Sequence, residues 1–252
     1  MKKVRLEEFT QKEFQDSYID KAILVFGSCE SHGEHLPFGS DVFVPHSIAV
    51  EVAEQIEDTV AVPPLWYGMS LHYRHKPMCI SLTDETLIMV IKNVLESLVY
   101  WGIKKALIIN GHDGNIASIE VAAREVKVKN PEMGIAVIPA WWENVSHLVP
   151  EGTFEVWNGL GHGGEGETSM NLATVPELVD MDQARGMIPE MDPVVNLVWN
   201  FEELTDYGAS GAPEKGSVEK GKITRQALIT YIVDFIKRMD EQGWRFKKHG
   251  TK

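Results

Sequence analysis

Cysteine is nearly missing: Cys29 and Cys79 are the only two in 252 residues. They show no CxxC spacing, which excludes both a disulfide framework and a thiolate zinc site. Basic residues are scarce as well, 24 Lys and Arg against 37 Asp and Glu, for a formal net charge of -13. No basic cluster could neutralise phosphates, so nucleic acid is disfavoured as a partner, while the acidic balance favours solubility and, more weakly, attracts cations. No apolar run approaches the roughly 18 residues of a membrane span. The first eight residues, Met1 to Glu8, lack the apolar core of a signal peptide. The expectation is a protein of the reducing cytoplasm with no membrane contact. Repeats and low-complexity segments are absent too, so 1–252 reads as one domain, long enough to bury a core without staples.

What is present is an alternation of short buried strands and amphipathic helices. Ala22 to Phe26, Thr59 to Val62, Lys105 to Ile109 and Gly134 to Ile138 are apolar runs of strand length. Between them Ile48, Val52 and Ile56 recur at helical spacing after Pro45. Leu87 to Leu98 form a broad apolar face behind a Thr83 cap, and Ile116 to Val126 repeat the pattern. This order predicts an α/β layered fold, a mainly parallel central sheet flanked by helices. The second half is less regular: residues 186–215 read as an extended excursion, and Ser217 to Arg238 as a last amphipathic helix.

Chemistry-bearing residues gather in three stretches. Between Phe26 and Asp41 stand Glu30, His32, Glu34, His35 and Asp41, broken by Gly33, Pro37 and Gly39. Carboxylates and imidazoles are ligands that zinc, manganese and iron accept. Glu30 and His32 leave an extended segment on the same side, and the turn residues would bring Asp41 back towards them. The second stretch, Asn110 to Asn115, contains His112 and Asp113; the third, Gly161 to Ser169, contains His162, Glu165 and Glu167 among four glycines. The first two lie just past the carboxyl ends of predicted strands, where open parallel sheets build ligand sites. Taken singly, His112 could be a turn histidine, and Glu167 an acid satisfying a helix dipole. His162 and Glu165 are open in the same way. Together Glu30, His32, Asp41, His112 and Glu167 could hold two divalent metals with one carboxylate bridging.

These stretches resemble the creatininase (creatinine amidohydrolase) family. Glu30 to Asp41 is similar to its E-Q-H-G-x-H-L-P-L-G-T-D signature, Asn110 to Asn115 to its N-G-H-G-G-N, and His162 to Ser169 to its H-A-G-E-x-E-T-S. The resemblance implies a two-metal centre of Zn2+, Mn2+ or Fe2+. Glu30, Asp41 and His112 would hold one ion, and His32, Asp41 and Glu167 the other. It also implies an activated hydroxide attacking the carbonyl of a small polar cyclic amide, with His162 as proton shuttle and Glu165 a further catalytic candidate. A homo-oligomer, by family resemblance a hexamer, is implied as well. Two departures argue against creatinine itself. Asp113 and Gly114 stand where creatininase has an aromatic residue and a glutamate, and Asn158 and Gly159 where it has Trp-Asp. Trp66, Tyr67, His72, Asp113, Trp141 and Trp142 are candidates for the substrate wall, although the two adjacent tryptophans could instead be core. The alternatives are hydrolytic opening of a cyclic polyol ketone of the 3-dehydro-inosose type, and a non-catalytic metal-binding subunit.

Overall fold

The computed structural model describes residues 2–192, 194–195 and 197–248. Strands β1 (Lys21–Phe26), β2 (Thr59–Ala61), β3 (Lys105–Asn110) and β4 (Gly134–Ile138) pair in parallel in the order β2-β1-β3-β4. All six residues of β1 are buried, as a strand covered on both faces requires. Side chains alternate between the faces. Ile23, Val25, Leu107 and Ile109 enter one apolar cluster; Ala22, Leu24, Phe26, Ala106 and Ile108 enter the other.

Seven helices surround this sheet among the described residues. The short α1 (Gln11–Asp16) opens on a capping box between Thr10 and Glu13. Helices α2 (Ser40–Gln55) and α7 (Val218–Glu241) cover the first face through Ile48, Val52, Leu228, Ile232 and Ile236. Helices α3 (Asp84–Tyr100) and α4 (Ile116–Lys129) cover the second through Leu87, Ile91, Leu95, Ile119 and Val126. The Thr83 hydroxyl caps α3 by accepting from Thr86 N, and Gly102, at φ +84°, turns the chain away after it. The one-turn α5 (Trp141–Asn144) follows β4, and α6 (Glu165–Thr174) packs on α2 and α7. No described helix is long and apolar enough to cross a membrane.

One boundary differs from the sequence expectation in a way that matters for the site. The second helix begins at Ser40, not at Pro45, so Asp41 lies in its first turn. Pro45 has no N–H to give the carbonyl four residues back, which is that of Asp41. That carbonyl is pressed instead against the backbone just beyond β1 and β3: a Cβ at Gly27 would stand 2.5 Å from it, and one at Gly111 only 1.9 Å. Two glycines therefore let the helix start sit directly on the ends of the two central strands.

Candidate metal centre

The strand order reverses between β1 and β3, since β2 lies to one side of that pair and β4 to the other. Loops leaving neighbouring strands in opposite directions open a crevice at this point. The register sets Phe26 opposite Asn110, so the loops bearing Glu30 and His112 leave the sheet side by side. Asp41 arrives on the first turn of α2, and His162 and Glu167 from the loop and first turn of α6. The described residues offer three sets of possible ligands with donor atoms within 4.8 Å of one another. They are Glu30, Asp41 and His112; His32, Asp41 and Glu167; and Glu30, His32 and His162.

The orientation of the imidazoles is fixed from outside. His112 Nε2 lies 2.9 Å from the Met69 carbonyl, His32 Nδ1 3.2 Å from that of Glu30, and His162 Nε2 2.6 Å from that of Ser31. A carbonyl only accepts, so each of these nitrogens carries its proton outward and the other nitrogen points inward. The inward atoms meet carboxylates. His32 Nε2 is 2.8 Å from Asp41 Oδ1 and 4.0 Å from Glu167 Oε2. His112 Nδ1 is 3.2 Å from both Glu30 Oε1 and Asp41 Oδ2. A lone pair facing a carboxylate is repelled unless a proton or a metal ion lies between them. Glu30 Oε1 and Asp41 Oδ2, both buried, have no hydrogen-bond partner, so the donor set fits a divalent cation.

The protein's own charges say the same. Burial works against a charged His32, but Asp41, Glu167 and Glu30 lift its pKa to about 10. His112 is raised well above its ordinary value against the same burial, chiefly by Glu30 and Asp41. Burial would also raise Glu30 and Asp41, yet the neighbouring imidazoles hold both below the usual carboxylate range. Glu167 is pushed up to about 7, mainly by burial. His162 is pushed down to about 3 by burial and by His32, whose ring stacks on its own at 4.1 Å. Its inward Nδ1 is therefore a free base at neutral pH.

A cavity of about 410 Å3 opens over Asp41, His112, His162 and Glu167. Its outer wall includes Tyr73, Asp113, Trp142, Glu143, Trp157, Trp199 and Phe201. Asp113 and Trp142, two of the residues suggested for a substrate wall, thus line this cavity. Trp66 and Tyr67 are not: both are partly exposed outside the lining, and Trp66 meets Phe43 edge-on. Trp141, 4% exposed, belongs to the core cluster; adjacent residues on a helix diverge by about 100°, so only one of the pair reaches the cavity. His72 stacks parallel to His112 at 5.9 Å and edge-on to Trp199, behind the cavity surface. Glu165 also lies elsewhere, its carboxylate fully buried against Lys220 and two backbone N–H groups. Sequence reasoning missed Tyr73, Trp199 and Phe201. The aromatic content around Tyr73 was a signal, but residues 199–201 lie in a stretch without periodicity. That excursion folds back over its own chain's site: Ser210 N donates to His162 O, and His162 N to Ser210 Oγ, each at 2.8 Å.

An α/β sheet with acids and imidazoles converging at its topological switch point defines a class of metal-site proteins. Within that class the assignment is specific: a sequence model of the creatininase family (creatinine amidohydrolase) matches residues 7–236, and the chain belongs to this family. It is similar to the creatinine amidohydrolase of Pseudomonas putida, 28% identical over 94% of this chain and 97% of that one. It is also similar to the 3-dehydro-scyllo-inosose hydrolase of Thermotoga maritima, 27% identical over 95% and 84%. A crystal structure of creatinine amidohydrolase superposes with a TM-score of 0.82 at 26% identity, covering 94% of this chain and 98% of that one.

Proposed function

We propose that the chain is a two-metal hydrolase that opens a small polar cyclic amide other than creatinine. The observation that carries this reading is the set of three imidazoles whose outer nitrogens are tied to carbonyls and whose inner nitrogens face carboxylates. Glu30, Asp41 and His112 would hold one divalent ion; His32, Asp41 and Glu167 the other. Such a pair, when bound, supplies Lewis acidity for a carbonyl and a nucleophilic hydroxide at neutral pH. Structures of related creatininases in Zn–Zn and Mn forms and with creatine support metal-dependent chemistry on a small molecule.

The chain's own residues do the rest. His162 takes a proton on Nδ1 as the carbon–oxygen bond forms and returns it to the nitrogen as the carbon–nitrogen bond breaks. The Ser31 carbonyl holds it in the tautomer that can do so. No lysine or arginine is among the described residues lining the cavity, while Asp113 and Glu143 are, which favours a neutral or cationic substrate over an anionic one. At Gly114, where creatininase has a glutamate, a Cβ would meet Met69 O at 2.0 Å, so the acid cannot be accommodated without moving that backbone. This supports a substrate other than creatinine. The inosose-type ketone stays as the second reading, because the Thermotoga relative is a 3-dehydro-scyllo-inosose hydrolase and hydrolysis of either substrate class starts from a polarised carbonyl.

The test is metal analysis of protein purified without added metal, followed by turnover of a panel of cyclic amides, creatinine and 3-dehydro-scyllo-inosose. About two equivalents of metal with chelator-sensitive hydrolysis of a cyclic amide is the expected result. Ketone-only turnover would move the reaction to the second reading, and a protein that takes up no metal would overturn both. We further infer a cytoplasmic homo-oligomer, hexameric by family resemblance, supported by the exposed apolar side chains of Val194, Val195, Leu197 and Val198. Light scattering that returned only the 28.3 kDa single-chain mass would refute it.

A further inference from the structure

Glu165 lies outside the cavity, fully buried and held at both carboxylate oxygens. Its oxygens accept from Glu155 N at 2.9 and 3.1 Å, from Val156 N at 2.9 Å and from Lys220 Nζ at 2.6 Å. Lys220 donates in addition to Glu155 Oε1 at 2.7 Å and to Lys215 O at 2.9 Å. The lysine reaches this point because α7 crosses α6 closely: a Cβ at Gly221 would stand 1.9 Å from Ser169 O. Ser217 N meanwhile donates to Ser169 Oγ at 3.1 Å.

The segment held by these contacts is under backbone strain. Trp157 and Asn158 have φ of +47° and +54°, a region that non-glycine residues avoid, and Gly159, Gly161 and Gly163 are left-handed as well. A non-glycine residue stays there only when its surroundings over-determine it. The same stretch delivers Trp157, Leu160 and His162 to the cavity. The geometry points to Glu165 and Lys220 as a positioning pair, an ion pair behind the cavity wall, with Glu165 buried and Lys220 half-buried, that holds residues 155–163 so that Trp157 forms the wall and His162 Nδ1 stands 3.9 Å from Glu30. Neither residue touches substrate. The pair converts the α6–α7 packing into the placement of the proton shuttle.

The turnover arm of the test rests on the proposed hydrolase reading; the exchange arm does not. Lys220→Met removes the charge and keeps most of the stem, and Lys220→Arg restores the charge. Hydrogen exchange of the zinc-loaded proteins should show residues 155–163 exchanging about tenfold faster in Lys220→Met, with β1, β3 and zinc content unchanged. Turnover of the panel member that the wild type hydrolyses should fall in kcat by up to about 100-fold, the effect of misplacing a reacting group by roughly 1 Å. Its KM should rise less, and Lys220→Arg should recover part of both changes. Unaltered exchange across 155–163 would overturn the proposal, as would a loosened segment with wild-type turnover. Should Lys220→Met not fold, Lys220→Gln, which retains one donor, replaces it. Loss of protection across the whole sheet in that variant would also overturn the proposal by making the pair a general prop of the fold. A panel with no turnover at all would fail the hydrolase reading, leaving the exchange result to decide the pair.

Discussion

Asp41 is the one residue common to the two ligand sets proposed to hold the ions, Glu30, Asp41 and His112 and His32, Asp41 and Glu167, which makes Asp41→Asn the most informative substitution. Its ligand atoms lie within 4.8 Å of those of Glu30 on one side and Glu167 on the other. Two unit charges at that separation repel by about 3.5 kcal/mol at an effective dielectric of 20, so the two neighbours together cost about 7 kcal/mol. In metal-free protein the protonated forms of His32 and His112 offset part of this, and a metal ion at 1,000 times its dissociation constant contributes about 4 kcal/mol, or about 8 for two. In a domain of this size each kcal/mol shifts Tm by about 2–4 °C, so chelation should lower the wild-type Tm by roughly 16–32 °C. Asp41→Asn is nearly isosteric but takes one charged ligand from both sites. The expected result is loss of both ions and a Tm that responds to chelator by less than about 4 °C. His112→Ala and Glu167→Gln should each lose only one ion. The assays are elemental analysis and calorimetry with and without chelator. An Asp41→Asn protein that keeps one ion, or that still melts far lower in chelator, would show that Asp41 is not the shared ligand.

Other perturbations reach different parts of the same reasoning. His162→Ala should keep the metal content and lose about 10²–10⁴ in kcat, the usual worth of a proton-transfer group; wild-type turnover would remove His162 from the reaction. Gly111→Ala must displace the Asp41 carbonyl, since its Cβ would start 1.9 Å away. Overpacking of this kind costs about 3 kcal/mol, so Tm should fall by roughly 6–12 °C together with metal content, and an unchanged melt would refute the close approach. In chelated protein, Glu167 has a folded pKa of about 7, above its ordinary 4.5, so its stabilisation is present below 4.5 and lost as pH rises through 7. His32, raised from 6.5 to about 10, extends the loss upward. Below about pH 6.5 this loss is opposed by His162 and His35, which burial pushes down to about 3 and about 4 and which are therefore neutral when folded but protonated when unfolded. Chelated Tm should therefore fall with rising pH from about 7 to 10, while metal-loaded Tm changes little. Metal uptake should strengthen over the lower part of the range and release protons. A chelated protein whose Tm stays flat from about pH 7 to 10 would contradict the shift of His32.

Much of the architecture was legible in the chain because it depends on local pattern. The four apolar runs became the four strands with small changes at their ends, and the apolar faces of α3, α4 and α7 were set by spacing alone. The three stretches rich in acid and histidine could be located for a similar reason, since short motifs carry their own spacing. Local pattern could not say which way individual side chains point. Glu165 and Glu167 stand two apart in one motif, at the start of one helix, where each residue turns about 100°. They therefore face nearly opposite sides, and the packing of α6 against α7 sends one to Lys220 and the other towards His32 in the candidate metal centre. Trp141 and Trp142 diverge in the same way into core and cavity wall.

Local pattern along the chain sets the strand and helix content, the kinds of candidate ligand and their approximate place at the strand ends. Packing in three dimensions sets which carboxylates face the cavity, as Asp41 and Glu167 do, and which face away, as Glu165 does. It also decided which nitrogen of each imidazole faces inward, because that follows from backbone carbonyls at Met69, Glu30 and Ser31 that no side-chain pattern reveals. The placement of Trp199 and Phe201 over the site belongs to tertiary structure as well: they come from an excursion without periodicity, anchored by the hydrogen bonds between Ser210 and His162. Periodicity records burial against a neighbouring layer, whereas a site is assembled from loops whose course is set by contacts distant in sequence.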